Sequence, residues 1–324
     1  MTSTIATALL LFPAMTFANA AAVTAVTEDA EIEVEMAAPE TVTVGDTYAL
    51  EVTITNQGSE MIIIKEPMHD YRSFDFRVKF GDKRESLYTK YHPKAGQPST
   101  LKGQDLEAGA SLTFRHEVDA ITAGEWRFEP LYHGAGGTIT GEAKTVTVEA
   151  KGKAERALAE MKTSHGVIRA AFWPDVAPAT SLSIAELVRT GFYDGLIFHR
   201  VIQGFMIQGG CPDGNGMGGP GYSIEAEFNK RSHVAGVFSM ARNGDPYEGQ
   251  GKMPRPQFAN SAGSQFFLCD ATSPHLDKKY TGFGRVIEGI DVVHAIAAVP
   301  VDGSSPKEPV KIEKARLVVI GAGS

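Results

Sequence analysis

Arg200 stands inside Ile197-Phe198-His199-Arg200-Val201-Ile202, with Phe205 and Met206 close behind it. A guanidinium keeps its charge and holds several N–H donors in one plane, so among apolar neighbours it calls for a partner or a task. Spacing alone leaves two readings open: a donor held in a water-poor cleft, or a strand-end charge reaching solvent. His199, His233 and His275 could serve as general bases, but no G-x-S-x-G elbow or other activated nucleophile accompanies them, and acyl transfer loses its support. Gly214-Asn215-Gly216-Met217-Gly218-Gly219 fits the dinucleotide pattern G-x-G-x-x-G letter for letter. Pro220-Gly221 follows at once, so no helix opens there to receive a pyrophosphate, and the nucleotide reading fails. The only cysteines, Cys211 and Cys269, exclude a disulfide scaffold and a cysteine-based zinc site, and are expected to be free thiols.

The elements that must position Arg200 are short strands and two helices. Ala179 to Thr190 has helical spacing in Ile184, Leu187 and Val188, with Pro178 at its start and Gly191 past its end. Asp291 to Ala298 repeats the pattern with Val292, Val293 and Ile296. Phe198 to Gln208, Val237 to Arg242 and Ser264 to Cys269 are apolar, strand-like runs. Many short strands with two helices predict a closed antiparallel barrel capped by those helices.

The chain before this region has a different character. Up to Ala150 there are 12 basic and 22 acidic residues, against 19 and 17 from Lys151 onward, and 11 glycines against 23. A boundary near Lys151-Gly152-Lys153 follows, with a linker over 151–160. Phe74, Phe76, Val78 and Phe80 alternate with charged residues, as do Leu50, Val52 and Ile54, and Leu112, Phe114, His116 and Val118. Roughly seven such strands between Gly-rich turns predict an antiparallel β-sandwich over 31–150, loosely similar to the bacterial immunoglobulin-like sandwiches, with Trp126 and Phe128 in its core. No charged side chain occurs from Met1 to Thr27, and Ile5 to Phe17 leads into Ala18-Asn19-Ala20. That pattern predicts a signal peptide over 1–20 and a periplasmic or secreted protein, the alternative being an uncleaved anchor. The net charge of −8 argues against non-specific nucleic-acid binding.

Phe198-His199-Arg200-Val201-Ile202-Gln203-Gly204-Phe205-Met206-Ile207-Gln208-Gly209-Gly210 resembles the central motif of the cyclophilins, peptidyl-prolyl cis–trans isomerases. The likeness continues through Ser239-Met240-Ala241-Arg242, Asn260 to Phe267, Leu276-Asp277 and Phe283-Gly284-Arg285-Val286. It implies a mainly β protein whose region 161–324 is an eight-stranded antiparallel barrel with two capping helices. It also implies a catalytic Arg200 supported by Gln265, and a proline pocket of Phe205, Met206, Phe267 and Leu276. Gln208 falls on a polar cleft position, while Gly216 and Ala241 fall on the neighbouring peptide groove. Partners are then proline-containing polypeptides, with no metal, nucleotide or other cofactor needed. The rival class is a proline-peptide-binding module without turnover.

Three positions depart from the family pattern. Arg242 stands where many members have Asn, His275 where Trp is familiar, and Tyr280 where His is expected on the pocket wall. They bear on sequence preference more than on the reaction, and Arg242 is expected to offer hydrogen bonds to substrate. A long loop, Gly244 to Ala259, is inserted beside the cleft. No catalytic residue precedes Lys151, so residues 155–324 are expected to act alone, with the first domain as spacer or docking module.

Overall fold

A computed structural model describes residues 23–27, 30–64, 74–88, 90–91, 104–134, 137–153, 155–248 and 251–321. The leader expected over 1–20 lies outside them. No helix among the described residues is long and apolar enough to cross a membrane.

The second half of the chain builds one curled sheet from eight strands: β1 (Arg156–Thr163), β2 (Gly166–Phe172), β3 (Arg200–Ile202), β4 (Met206–Gly209), β5 (Val237–Met240), β6 (Phe266–Cys269), β7 (Gly282–Glu288) and β8 (Ile312–Ile320). Their order is β3-β4-β6-β5-β7-β2-β1-β8, antiparallel throughout. A closed barrel was the expectation. The end strands β3 and β8 share no ladder; the approaches to them meet at one isolated bridge, Ile197 to Lys311, with Phe198 N donating to Val310 O at 2.9 Å. Three helices accompany the sheet: α1 (Pro178–Arg189), the one-turn α2 (Pro256–Ala259) and α3 (Ile290–Ala297).

Two details differ from the sequence reading. The run Phe198 to Gln208 is a hairpin rather than one strand, turned at Gly204, whose φ of +73° suits a residue without Cβ. The barrel begins at Arg156, inside the stretch read as linker: Ala157 to Met161 is buried throughout, so no alternation marks it as a strand.

The first half forms a four-stranded sheet and a six-stranded one. All their pairings are antiparallel except Thr41–Thr43 against Lys144–Glu149, which run parallel where an antiparallel arrangement was expected. Trp126 and Phe128 are buried, stacked at 6.4 Å. His116 lies between Phe76 and Tyr88, with ring centroids 5.3 and 5.4 Å away.

The two halves share a core. Ten of the twelve residues of α1 are buried, among them Thr180, Ser181 and Ser183. One side of α1 packs on β7 and β8, the other on the first-half strands Phe74–Phe80, Glu85–Tyr88 and Ser111–Asp119. A surface helix would leave a polar face in water. Here the first half covers that face, with Tyr88 Oη donating to Glu186 at 3.0 Å and Arg189 paired with Asp119 at 2.9 Å.

Candidate active site

Strand register assembles the site. Arg200 on β3 faces Gln208 on β4, Gln208 faces Phe267 on β6, and Phe267 faces Ser239 on β5. Residues directly opposite across antiparallel strands share a face, so these four form one row on the outside of the sheet. The next row inward in sequence, Val201, Ile207, Leu268 and Phe238, points the other way into the main core. Outside the sheet a second apolar cluster gathers Met206, Val237, Phe267, Cys269 and Leu276, flanked by Phe205, Ala241 and Tyr280.

That cluster walls an open pocket lined by Arg200, Phe205, Met206, Gln208, Ala241, Arg242, Phe267, Leu276 and Tyr280. Nine residues predicted from the sequence thus meet around one cavity. Arg200 Nη1 donates to Gln208 Oε1 at 3.3 Å. Gln208 Nε2 donates to Gln265 Oε1 at 3.1 Å, and Gln265 Nε2 donates to the carbonyls of Gly216 and Gly218, both at 2.8 Å. Gln265 and Gly216 therefore stand behind the lining, where they tie the glycine loop to the arginine. His275 is also outside the lining, its ring 5.2 Å from that of Phe205. Burial, then the adjacent Arg200, hold His199 below the ordinary imidazole range, so it adds no second charge beside the guanidinium at neutral pH.

Arg242 does not offer itself to a substrate as expected. Its side chain is only 2 % exposed and its donors are spent on Glu248 (2.5 Å), Lys279 O (3.0 Å) and Asn243 O (2.8 Å). The guanidinium lies 4.3 Å over the Tyr280 ring. It is a structural tie between the inserted loop and the pocket wall. The loop is further closed by Arg255, which grips the buried Asp245 through Nε and Nη2 at 2.9 and 3.0 Å and holds that carboxyl well below the usual range.

Sequence reasoning passed over the support beneath Phe267. Asp277 Oδ1, His233 and Ser239 Oγ are joined by contacts of 3.0 Å each, and the imidazole stacks on Phe267 at 6.1 Å. The order is that of a hydrolytic triad, but Ser239 is wholly buried, so no substrate carbonyl reaches it. Burial holds His233 below its usual range despite Asp277. The trio fixes the pocket floor. Pro274-His275-Leu276, a short turn, could have pointed to Asp277, but nothing local marks Ser239.

Both cysteines are free and buried. Burial pushes Cys269 up to about 12. Burial raises Cys211 too, but backbone N–H groups, Gly218 first, outweigh it and lower the thiol.

The model of the family "Cyclophilin type peptidyl-prolyl cis-trans isomerase/CLD" matches residues 158–317. A peptidyl-prolyl cis-trans isomerase of Synechococcus elongatus is 45 % identical over 138 residues, 42 % of this chain and 86 % of the relative. This chain belongs to the cyclophilin-type peptidyl-prolyl isomerases. Another member, from Helicobacter pylori, is 40 % identical over 157 residues, 47 % of this chain and 88 % of its own length. Peptidyl-prolyl cis-trans isomerase B of Bacillus subtilis is 45 % identical over 121 residues, 37 % of this chain and 75 % of the relative. A cyclophilin structure from Cryptosporidium parvum, obtained in the presence of the dipeptide Ala-Pro, matches with TM-score 0.44 and 26 % identity over 50 % of this chain and 98 % of that one. In these three bacterial relatives the match takes up most of the relative and less than half of this chain, and the residues before 158 lie outside the family match.

Proposed function

We propose that this cyclophilin turns X–Pro bonds of polypeptides through Arg200, and does so for proteins outside the cytoplasm. The single observation that carries the reaction is the half-buried guanidinium of Arg200, oriented by Gln208 at the rim of an apolar pocket. Rotation about the peptide bond meets a barrier of about 18–20 kcal/mol because the nitrogen lone pair is delocalised into the carbonyl. A hydrogen bond from Arg200 to the prolyl nitrogen stabilises the twisted, pyramidal state and does little for the planar one, which is differential binding of the transition state. Phe205, Met206, Phe267 and Leu276 grip the pyrrolidine ring while the preceding carbonyl swings. Gln265 keeps Gln208, and so Arg200, in place, and Gly216 and Ala241 border the path of the chain. Tyr280 and His275 shape the rim. No covalent intermediate, metal or nucleotide enters this scheme.

An extracytoplasmic folding role rests on the signal peptide read over 1–20, within a run, Met1 to Thr27, that carries no charged side chain. The two sheets of the first half and their aromatic core favour reading 31–150 as a β-sandwich of immunoglobulin-like kind.

Exchange spectroscopy on a capped proline peptide tests the reaction. Arg200→Ala should lower kcat/KM about 100-fold, the scale of one lost transition-state donor, while peptide affinity changes far less. Wild-type exchange in that variant would refute the mechanism. Peptide binding by the native protein without faster exchange would make the chain a binding module.

A further inference from the structure

We propose that Arg84, from the first half of the chain, is a positioning residue for the proline pocket, holding the backbone on which its Arg242–Tyr280 wall rests. The inference rests on the isomerase reading above and adds a residue that the family match, which starts at residue 158, does not contain.

Arg84 Nη1 donates to Phe228 O at 2.7 Å and Nη2 to Ala226 O at 3.5 Å. Two carbonyls two residues apart suit the planar fork of a guanidinium, and each bond carries the assistance of its charge. The segment so held has little freedom left. Ala226 N donates to Asn260 Oδ1 at 3.0 Å, where the inserted loop ends. Glu227 N donates to Thr281 Oγ1 at 3.0 Å, directly after Tyr280. Asn229 Nδ2 bridges Glu227 O and Gly282 O at 3.1 and 2.9 Å. The ring of Phe228 lies 5.9 Å from the guanidinium of Arg242, which in turn covers Tyr280. Tyr280 packs edge-on against Phe267 at 5.8 Å. An unbroken series of contacts therefore runs from Arg84 to three residues of the pocket lining, Arg242, Tyr280 and Phe267.

The same segment is anchored to α1. The carboxylate of Glu227, 1 % exposed, accepts from the backbone N–H groups of Ala179 and Thr180 at 3.2 and 2.7 Å. Arg84 is thus the cation beside a buried carboxylate at a helix start, as well as the clasp on its neighbours' carbonyls. Loss of the guanidinium leaves two carbonyls without this donor and loosens the segment that carries Phe228. Arg200, on the opposite side of the pocket, keeps its partner Gln208. The grip on the proline ring should weaken while the rotation step persists.

The test uses the full chain with Arg84→Met, Arg84→Lys and, as a control, Arg115→Met, assayed by exchange spectroscopy and by NMR titration with a capped Ala-Ala-Pro-Ala peptide. A silent wild type would refute the isomerase reading itself, separately from this one. With wild-type exchange in hand, Arg84→Met is expected to raise KM and Kd at least threefold with kcat within twofold. Arg84→Lys, which keeps the charge but not the planar fork, should recover at least half of that loss, and Arg115→Met should match wild type. A merely structural role would lower the melting temperature with KM unmoved, and that result overturns the proposal, as does a lysine variant no better than methionine. Should Arg84→Met fail to fold, Phe228→Leu carries the test: a raised KM supports the path through Phe228, and an unchanged one refutes it.

Discussion

The halves of this molecule place their charged side chains differently. In the first, cations pair with anions on open strand faces: Arg115 meets Glu51 at 3.5 Å with the two side chains 60 % and 32 % exposed, and Arg127 sits near Glu85 and Glu129. In the second, the polar groups around the pocket are withdrawn from water and matched donor to acceptor, as in Arg200–Gln208–Gln265, Asp277–His233–Ser239 and Arg242–Glu248. Exposed pairs are screened and decorate a fold that would stand without them. Withdrawn networks fix positions, because each member left without its partner bears the full cost of desolvation. The pocket needs fixed positions; the first half supplies a face for α1 and the clasp of Arg84.

The strongest way to break this contrast is to separate the halves. Residues 155–324 alone would uncover the side of α1 that packs on Phe74–Phe80, Glu85–Tyr88 and Ser111–Asp119, and are expected to lose at least about 3 kcal/mol, the scale of one or two apolar side chains returned to water. Urea unfolding of both forms checks this, and equal stabilities would return the first half to the part of a spacer. A smaller effect belongs to His233→Gln, expected to cost about 1–3 kcal/mol at neutral pH by unmatching Asp277 and Ser239. His233 sits below its usual range in the fold, so the unfolded chain takes up the proton first as pH falls through about 6.5. The advantage of wild type over the glutamine variant should therefore shrink from about pH 7 to about pH 5 in thermal melts; a constant gap would mean the imidazole titrates alike in both states. The smallest change is Arg115→Ala, within about 0.5 kcal/mol, read from the same melts.

Sequence made the pocket legible where its residues lie close along the chain. Arg200, Phe205, Met206 and Gln208 share one hairpin, and Phe267 follows Gln265 on a strand that pairs with it. Arg84 left no such trace, since its acceptors lie more than 140 positions downstream and backbone carbonyls carry no residue type. Arg242 was legible as a cation near the cleft but not as one already engaged, because Glu248 reaches it through the fold of the inserted loop. The spacing of Ile184, Leu187 and Val188 marks one apolar face of α1, not two. Thr180, Ser181 and Ser183 are small enough to be buried under a second layer, and composition cannot tell a covered polar face from an open one.

The double burial of α1 also bears on the order of events at the ribosome. A chain is made from its N-terminus, and independent domains fold in that order as they emerge. Here the first-half strands that receive α1 are all synthesised before Pro178, so their apolar face waits in the open until the helix arrives. A nascent chain halted just before α1 presents that uncovered face to its neighbours. Release of the whole chain before either half has folded would remove that interval, because both layers would then meet the helix at once.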